Sequence, residues 1–392
     1  MSETRSNRNI KIEIIRVIAC FAVIWYHIRE LPFKSNGEIS ETAIFFECIC
    51  TICVMSFFLI TGFFIYNKKG LILKDWFDLI KKYVIQIFFP FILIAIFTII
   101  FHEYLISRST FIECIQVASV KAIIYTLFKS IKTFSVDPLP GTAAHLWYVY
   151  SYGLIIISYP ITRFILTKCP KYVLYIVLSI ITILMIINDY HLFYNNPSYN
   201  LFFEFIPKPV YYSAWGHILY NDIMKKQIDK VLENAENASK VLIINNKLFI
   251  ISVFVYIATF ILLFLTELKY VETVNNGYVY TSWLSLYALI LTTAFVLAVY
   301  DINIDRFLTD KIEKIISFIS SKTLGIYLVH YLIVTKLIAT NVQGSFIVDR
   351  TTIFHHVAFY VIYGFIIFII SLLVVCIFDS IIAFVKNKIL KR

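Results

Sequence analysis

The chain has 392 residues, of which 60% are hydrophobic and only 15% charged, with a mean hydropathy of +0.80. These values exclude a water-soluble globular domain, where apolar content is nearer half. The net charge of +10 tracks membrane orientation, so it carries no implication of a nucleic-acid partner.

Ten segments approach the roughly 20 residues that a bilayer-spanning helix needs. They lie near 12–31, 43–66, 83–101, 145–166, 172–189, 203–222, 245–266, 281–300, 314–339 and 357–385. The expected fold is all-α, a polytopic integral-membrane bundle of about ten transmembrane helices. It forms a single membrane-embedded domain over 1–392, with no separate soluble domain.

The first span carries Glu13, Arg16, Tyr26 and His27 inside an apolar run. Ionisable groups near a bilayer centre cost about 2.5–3.5 kcal/mol each on insertion scales, so they face a protein interior, a cavity or one another. Arg16 and His27 are three helical turns apart on one stripe, about 16 Å along the axis. Glu13, one turn before Arg16, is within pairing reach of it. The first helix should therefore turn a polar seam inward, and a structural role for the Glu13–Arg16 pair competes with a functional one.

The second span contains Cys48, Cys50 and Cys53, which read as small hydrophobes on an apolar helix rather than as metal ligands, so no metal is expected. The run Val17–Cys20 has the look of a lipoprotein cleavage site, but Glu13 and Arg16 break the apolar stretch that should precede one. At the entrance to the third span stand Lys81 and Lys82. The longest outer connection, Phe101 to Ala144, holds FIECIQVASVKAIIYTLFKSIKTF, which reads as an amphipathic helix at the membrane surface or over a cavity. A turn cluster at Asp137–Gly141 then leads into the fourth span at His145 and Trp147. In the sixth span Pro207, Lys208 and Pro209 interrupt the apolar run. The connector from Asn221 to Asn246 mixes both signs of charge and reads as solvated. The ninth span carries Tyr327 and His330.

Basic residues set the orientation, since Lys and Arg accumulate in cytoplasmic loops. With the N-terminus inside, 24 of the 35 basic residues fall in cytoplasmic segments and eight outside. An even number of spans then puts both termini in the cytoplasm.

Four blocks in order carry a resemblance to a known family. Glu13, Arg16 and His27 stand at the spacing of a D-x-x-R-x(10)-H pattern, with Glu for the usual Asp. SFFLITGFFIY resembles F-F-x-x-S-G-F, with Thr61 where Ser is common. His145-Leu146-Trp147-Tyr148 is similar to H-L-W-F. Ser320 to His330 is close to S-x-x-T-x-G-I-Y-L-x-H. Together they resemble the acyltransferase-3 family of bacterial integral-membrane O-acyltransferases. One departure stands out: many members have paired arginines before the third helix, where this chain has Lys81 and Lys82. Lysine neutralises a phosphate without the bidentate fork of arginine.

The resemblance implies transfer of an acyl group, usually acetyl, from cytoplasmic acyl-CoA (acetyl-CoA) to a hydroxyl of a glycan or lipid-linked saccharide. The setting it implies is a bacterial plasma membrane, and the product a modified envelope or exported polysaccharide. On it, His27 deprotonates the acceptor or relays the acyl group, while Arg16 and Glu13 orient the donor or hold the seam. Lys81 and Lys82 would meet coenzyme A phosphates, and His145, Trp147, Tyr327 and His330 would line the substrate cavity. A transporter or exporter is the competing reading, because polar residues on facing helices also line substrate paths. A glycan polymerase comes third; its long substrate-bearing outer loops are not matched by the single long loop here.

Overall fold

The computed structural model describes residues 9–28, 41–105, 110–133, 145–193, 208–225, 246–274, 285–302, 304, 308–337 and 353–389, with the side chains of some helix-end residues left aside. Among these every regular element is helical. The turn cluster Asp137–Gly141 and most of the solvated connector lie outside the described residues. Among the described residues six helices are long and apolar enough to cross a membrane: Glu41–Ile65, Ile72–Ile100, Trp147–Lys168, Lys247–Lys269, Asp310–Val334 and Tyr360–Ser380. Two others, Lys171–Met185 and Leu286–Asp301, are apolar but shorter. The chain divides into two compact units, residues 1–56, 243–281 and 290–392 in one, and 57–242 with 282–289 in the other.

In the first unit α1 (Ile10–Ile28) is the helix around which others assemble. It packs on α13 (Asp310–Leu337), α14 (Ile353–Ile389) and α2 (Glu41–Cys50). Its 19 residues include Lys11, Glu13 and Arg16. It therefore departs from a plain apolar span and is buried instead by protein, with Ile12, Ile15, Ala19, Val23 and Ile24 inward. Small residues let the helices close up: a Cβ at Gly364 would come 2.2 Å from Trp25 Nε1. The indole donates to the Tyr360 carbonyl at 3.0 Å, which satisfies the one polar atom of a large apolar side chain. Tyr360 in turn stacks on Phe46, 4.2 Å between ring centroids. Only 11% of the apolar window in α11 (Asn246–Val274) is buried by protein. It still touches α2 through Phe260 and Phe264 against Phe45. Its first turn is capped from α12 (Leu286–Asp301), where Asp301 accepts the Phe249 amide at 2.9 Å.

The second unit holds most of α3 (Cys53–Ile65), then α4 (Ile72–Tyr83), α5 (Phe89–Leu105), α6 (Phe111–Val117), α7 (Val120–Thr133), α8 (Trp147–Lys168), α9 (Lys171–Phe193) and α10 (Lys208–Leu219). A π-helical turn, Val84–Phe88, joins α4 to α5. Pro90 follows it, with no N–H to donate and a ring that crowds the carbonyl four residues back, so the regular ladder is disturbed there. Amphipathic α4 lies on α8, where Trp76 Nε1 donates to the Ile156 carbonyl at 2.8 Å and Tyr83 Oη to that of Val149 at 3.0 Å.

One sequence expectation takes a different form. The outer amphipathic stretch is not one helix but two, α6 and α7, parted at Ala118–Ser119, with α6 against α5 and α7 against α8. A capping box starts α6: Thr110 Oγ1 accepts the Glu113 amide, and Glu113 accepts that of Thr110. In the sixth segment Pro207 lies outside the described residues, and Pro209 stands in the first turn of α10 as described, Lys208–Leu219.

Helix α10 is buried along its length and meets α3 backbone to backbone. A Cβ at Gly62 would lie 1.8 Å from the Ser213 carbonyl oxygen, and one at Gly216 would lie 2.3 Å from that of Leu59. Helices in lipid associate through such small-residue contacts because apolar surface alone gives no preference for protein over lipid. Thr61, beside Gly62, bonds its own helix at the Phe57 carbonyl. Arg163, 93% withdrawn from solvent, ties the loop after α3 to α8. Its guanidinium donates to Asp75 at 2.7 Å, to Tyr159 Oη at 2.7 Å, to the Gly70 carbonyl at 2.9 Å and to that of Lys68.

Candidate active site

Tight packing of α1 on α13 brings the two histidines of the first and ninth segments together. The imidazole centroids of His27 and His330 are 5.1 Å apart. Tyr331 presents its ring to His27 at 5.0 Å, Tyr26 stands at 5.4 Å from it, and Tyr327 is 5.8 Å from His330. His27 is half-buried and His330 fully buried. His330 Nδ1 lies 2.7 Å from the Tyr327 carbonyl oxygen one turn earlier. A carbonyl only accepts, so Nδ1 carries the proton and Nε2 the lone pair. The helix backbone itself thus selects the tautomer that a proton acceptor needs.

At the other end of α1 the buried Glu13 accepts a hydrogen bond from Ser317 Oγ of α13. Arg16 is half-buried one turn later. Eleven residues of helix, about 16 Å, separate Arg16 from His27. The inward seam is therefore two sites on one stripe: a carboxylate held across a helix interface, and an imidazole pair. Cys20, between them, donates from Sγ to the Thr323 carbonyl at 3.7 Å, behaving as a small packed side chain.

The remaining sequence-derived residues lie in the second unit. His145 is buried just before α8, and Trp147 and Tyr148 join Phe58 in an aromatic cluster, with Tyr148 at 5.1 Å from Phe58. Lys81 and Lys82 are exposed on α4. Among the described residues no three His, Cys, Asp or Glu side chains are placed to hold a metal ion.

Residues 9–377 match the model of the acyltransferase domain called acyltransferase-3. The chain belongs to the acyltransferase-3 family. No curated protein and no solved structure matches it. The acyltransferase is accordingly a multi-pass membrane protein, and the matched stretch includes both histidines.

Sequence reasoning missed three features of this acyltransferase. Tyr331 carried no motif weight. Arg163 counted only as a cytoplasmic positive charge, because nothing in the chain links it to Asp75, 88 residues earlier. Glu47 and Glu267, both buried in apolar helices, were visible as lone acids in membrane segments but passed over.

Proposed function

We propose that the protein is an O-acyltransferase that moves an acyl group, acetyl in the first instance, from cytoplasmic acyl-CoA to a hydroxyl of a cell-envelope or exported polysaccharide. The reading extends to ten spans with both termini cytoplasmic, a bacterial plasma membrane, and one working domain over the whole chain. The observation that carries it is the imidazole pair with the His330 tautomer set by its own helix.

In this scheme His27, the more accessible of the two, takes the proton of the acceptor hydroxyl as its oxygen attacks the thioester carbon. The C–O bond forms, the C–S bond breaks, and the proton passes to the departing thiolate. His330 Nε2, with its lone pair, accepts from a protonated His27 and steadies it. Tyr327, Tyr331 and Tyr26 wall the pair in apolar surface, where hydrogen bonds and charges act more strongly than in water. Glu13 and Arg16 act on α1 position and on the donor end of the seam. His145 and Trp147 offer a polar edge and a stacking face for a sugar ring.

The test is transfer of label from radioactive acetyl-CoA into the polysaccharide fraction of membranes carrying wild type or His27→Ala. Label present with wild type and lost in the variant, at equal protein abundance, is the expected result. No label with either, at normal abundance, would put a transport role ahead of acyl transfer.

A further inference from the structure

Three contacts between α1 and α13 share one offset along the chain. Glu13 accepts from Ser317 Oγ, 304 positions on. Cys20 Sγ donates to the Thr323 carbonyl, 303 positions on. His27 meets His330 and Tyr331, 303 and 304 positions on. A constant offset over two heptads means that the two helices run parallel in a fixed register. The α1 members, residues 13, 20 and 27, are seven apart, the spacing that keeps side chains on the seam between two packed helices.

The three contacts hold that register unequally. Between them the buried side chains of α1 are apolar, Ile15, Ala19, Val23 and Ile24, and apolar surface in an apolar interior finds much the same partner one turn up or down. The thiol of Cys20 is a weak donor, and ring pairs accept centroid separations of about 4.5–7 Å. Glu13 is different. Its side chain is buried, and its bond to the Ser317 hydroxyl is made at one height only. A slip would set a buried carboxylate against apolar side chains, a large penalty. A single buried polar side chain at a heptad position fixes register between packed helices in this way.

The next hydroxyl on α13 is one turn away. Ser320 is buried, and its Oγ makes no hydrogen bond among the described residues. With Glu13 bonded there instead, α1 would stand about 4.5 Å higher on α13, and His27 would lie beside Ile333.

We infer that Glu13 and Ser317 are positioning residues: their bond selects between two heights of α1 on α13, and only the observed height brings His27 against His330. Glu13 lies about 21 Å along α1 from His27, so it acts on the imidazole pair through the helix and not by contact. The register stands on the packing alone; its effect on rate rests on the acyl-transfer reading.

Disulfide formation reads the register directly. Cys20 Sγ lies 3.7 Å from the Thr323 carbonyl oxygen, and the Thr323 hydroxyl bonds its own helix at Ser320. Thr323→Cys therefore puts a second thiol within reach of Cys20, whereas Ile326→Cys does so only after a rise of one turn. The full-length protein in membranes is oxidised with copper phenanthroline and the linked peptides identified by mass spectrometry, alone and with Ser317→Ala, Ser317→Thr, Glu13→Ala or Glu13→Gln. Acetyl transfer gives kcat and donor KM for the same four substitutions without the added cysteines. The link from Cys20 to Thr323→Cys should fall at least tenfold with Ser317→Ala and Glu13→Ala, while that to Ile326→Cys rises. Ser317→Thr and Glu13→Gln, which keep the donor and the acceptor, should preserve it. The two alanine variants should lose at least tenfold in kcat with donor KM within about twofold of wild type, since a misplacement of about 1 Å suffices for about 10²-fold. An unchanged link in both alanine variants, or a raised donor KM with the link intact, would overturn the assignment. If Glu13→Ala does not insert, Ser317→Ala, which removes a single hydroxyl, still decides the matter. Loss of the link with unchanged kcat would sink the positioning role and leave acyl transfer in place. Loss of the link where even the wild type transfers no label would keep the register lock and remove the acyl-transfer reading.

Discussion

His27 and His330 are 303 residues apart in sequence yet stand side by side, and on the proposed chemistry each imidazole is needed for the pair to work. A positioned acid or base contributes about 10²- to 10⁴-fold. His27→Ala and His330→Ala should each reduce transfer by that order. Because the two act as one unit, the double variant should be little worse than either single one. Single-turnover label transfer at saturating donor checks this; additive losses would show that the imidazoles act separately. Arg163 makes a different kind of prediction. Its guanidinium and Asp75 are both largely withdrawn from water, and removing one partner of such a pair costs about 3–5 kcal/mol. Arg163→Ala should therefore lower the unfolding temperature in detergent markedly, and Arg163→Lys should recover little of it, since a lysine cannot reach Asp75 and both carbonyls together. An unchanged melting temperature would remove Arg163 from its structural role.

At the level of helices, the contact of α3 with α10 has no room for a methyl group. Gly62→Ala would bring Cβ within 1.8 Å of a backbone oxygen, where no side-chain rotation gives relief. Overpacking costs about 1–3 kcal/mol in ordinary cores, and a backbone clash belongs at or beyond the upper end. The expected outcome is loss of monodisperse protein on fluorescence-detected size exclusion, with Gly216→Ala behaving alike. The start of α6 responds to pH instead. Bonds from the Thr110 amide and the Thr110 hydroxyl region hold Glu113 as the carboxylate, with its pKa below the ordinary range. Its stabilisation is complete above the unfolded pKa and is lost as pH falls through the lower folded one. Protection of the Thr110 amide from hydrogen exchange should thus disappear only in acid, and Glu113→Gln should flatten that dependence.

For the molecule as a whole, the proposed topology of ten spans with cytoplasmic termini predicts that a periplasmic reporter at Arg392 is silent and a cytoplasmic one active; the opposite pattern would overturn that topology. Class and location of the apolar helices were legible from hydropathy, since lipid demands helices with satisfied backbones. Glu13, Arg16 and His27 stood out for the same reason: charge inside an apolar run requires an explanation. The chain by itself determined that this is a helical membrane protein, its family, and which polar residues lie on the α1 stripe. Those follow from local spacing and from the cost of charge in lipid. Only the tertiary structure decided that His27 meets His330, that Glu13 bonds Ser317, and that Arg163 holds Asp75. These partners are distant in sequence and brought together by helix packing, and a one-dimensional pattern contains no record of which face meets which.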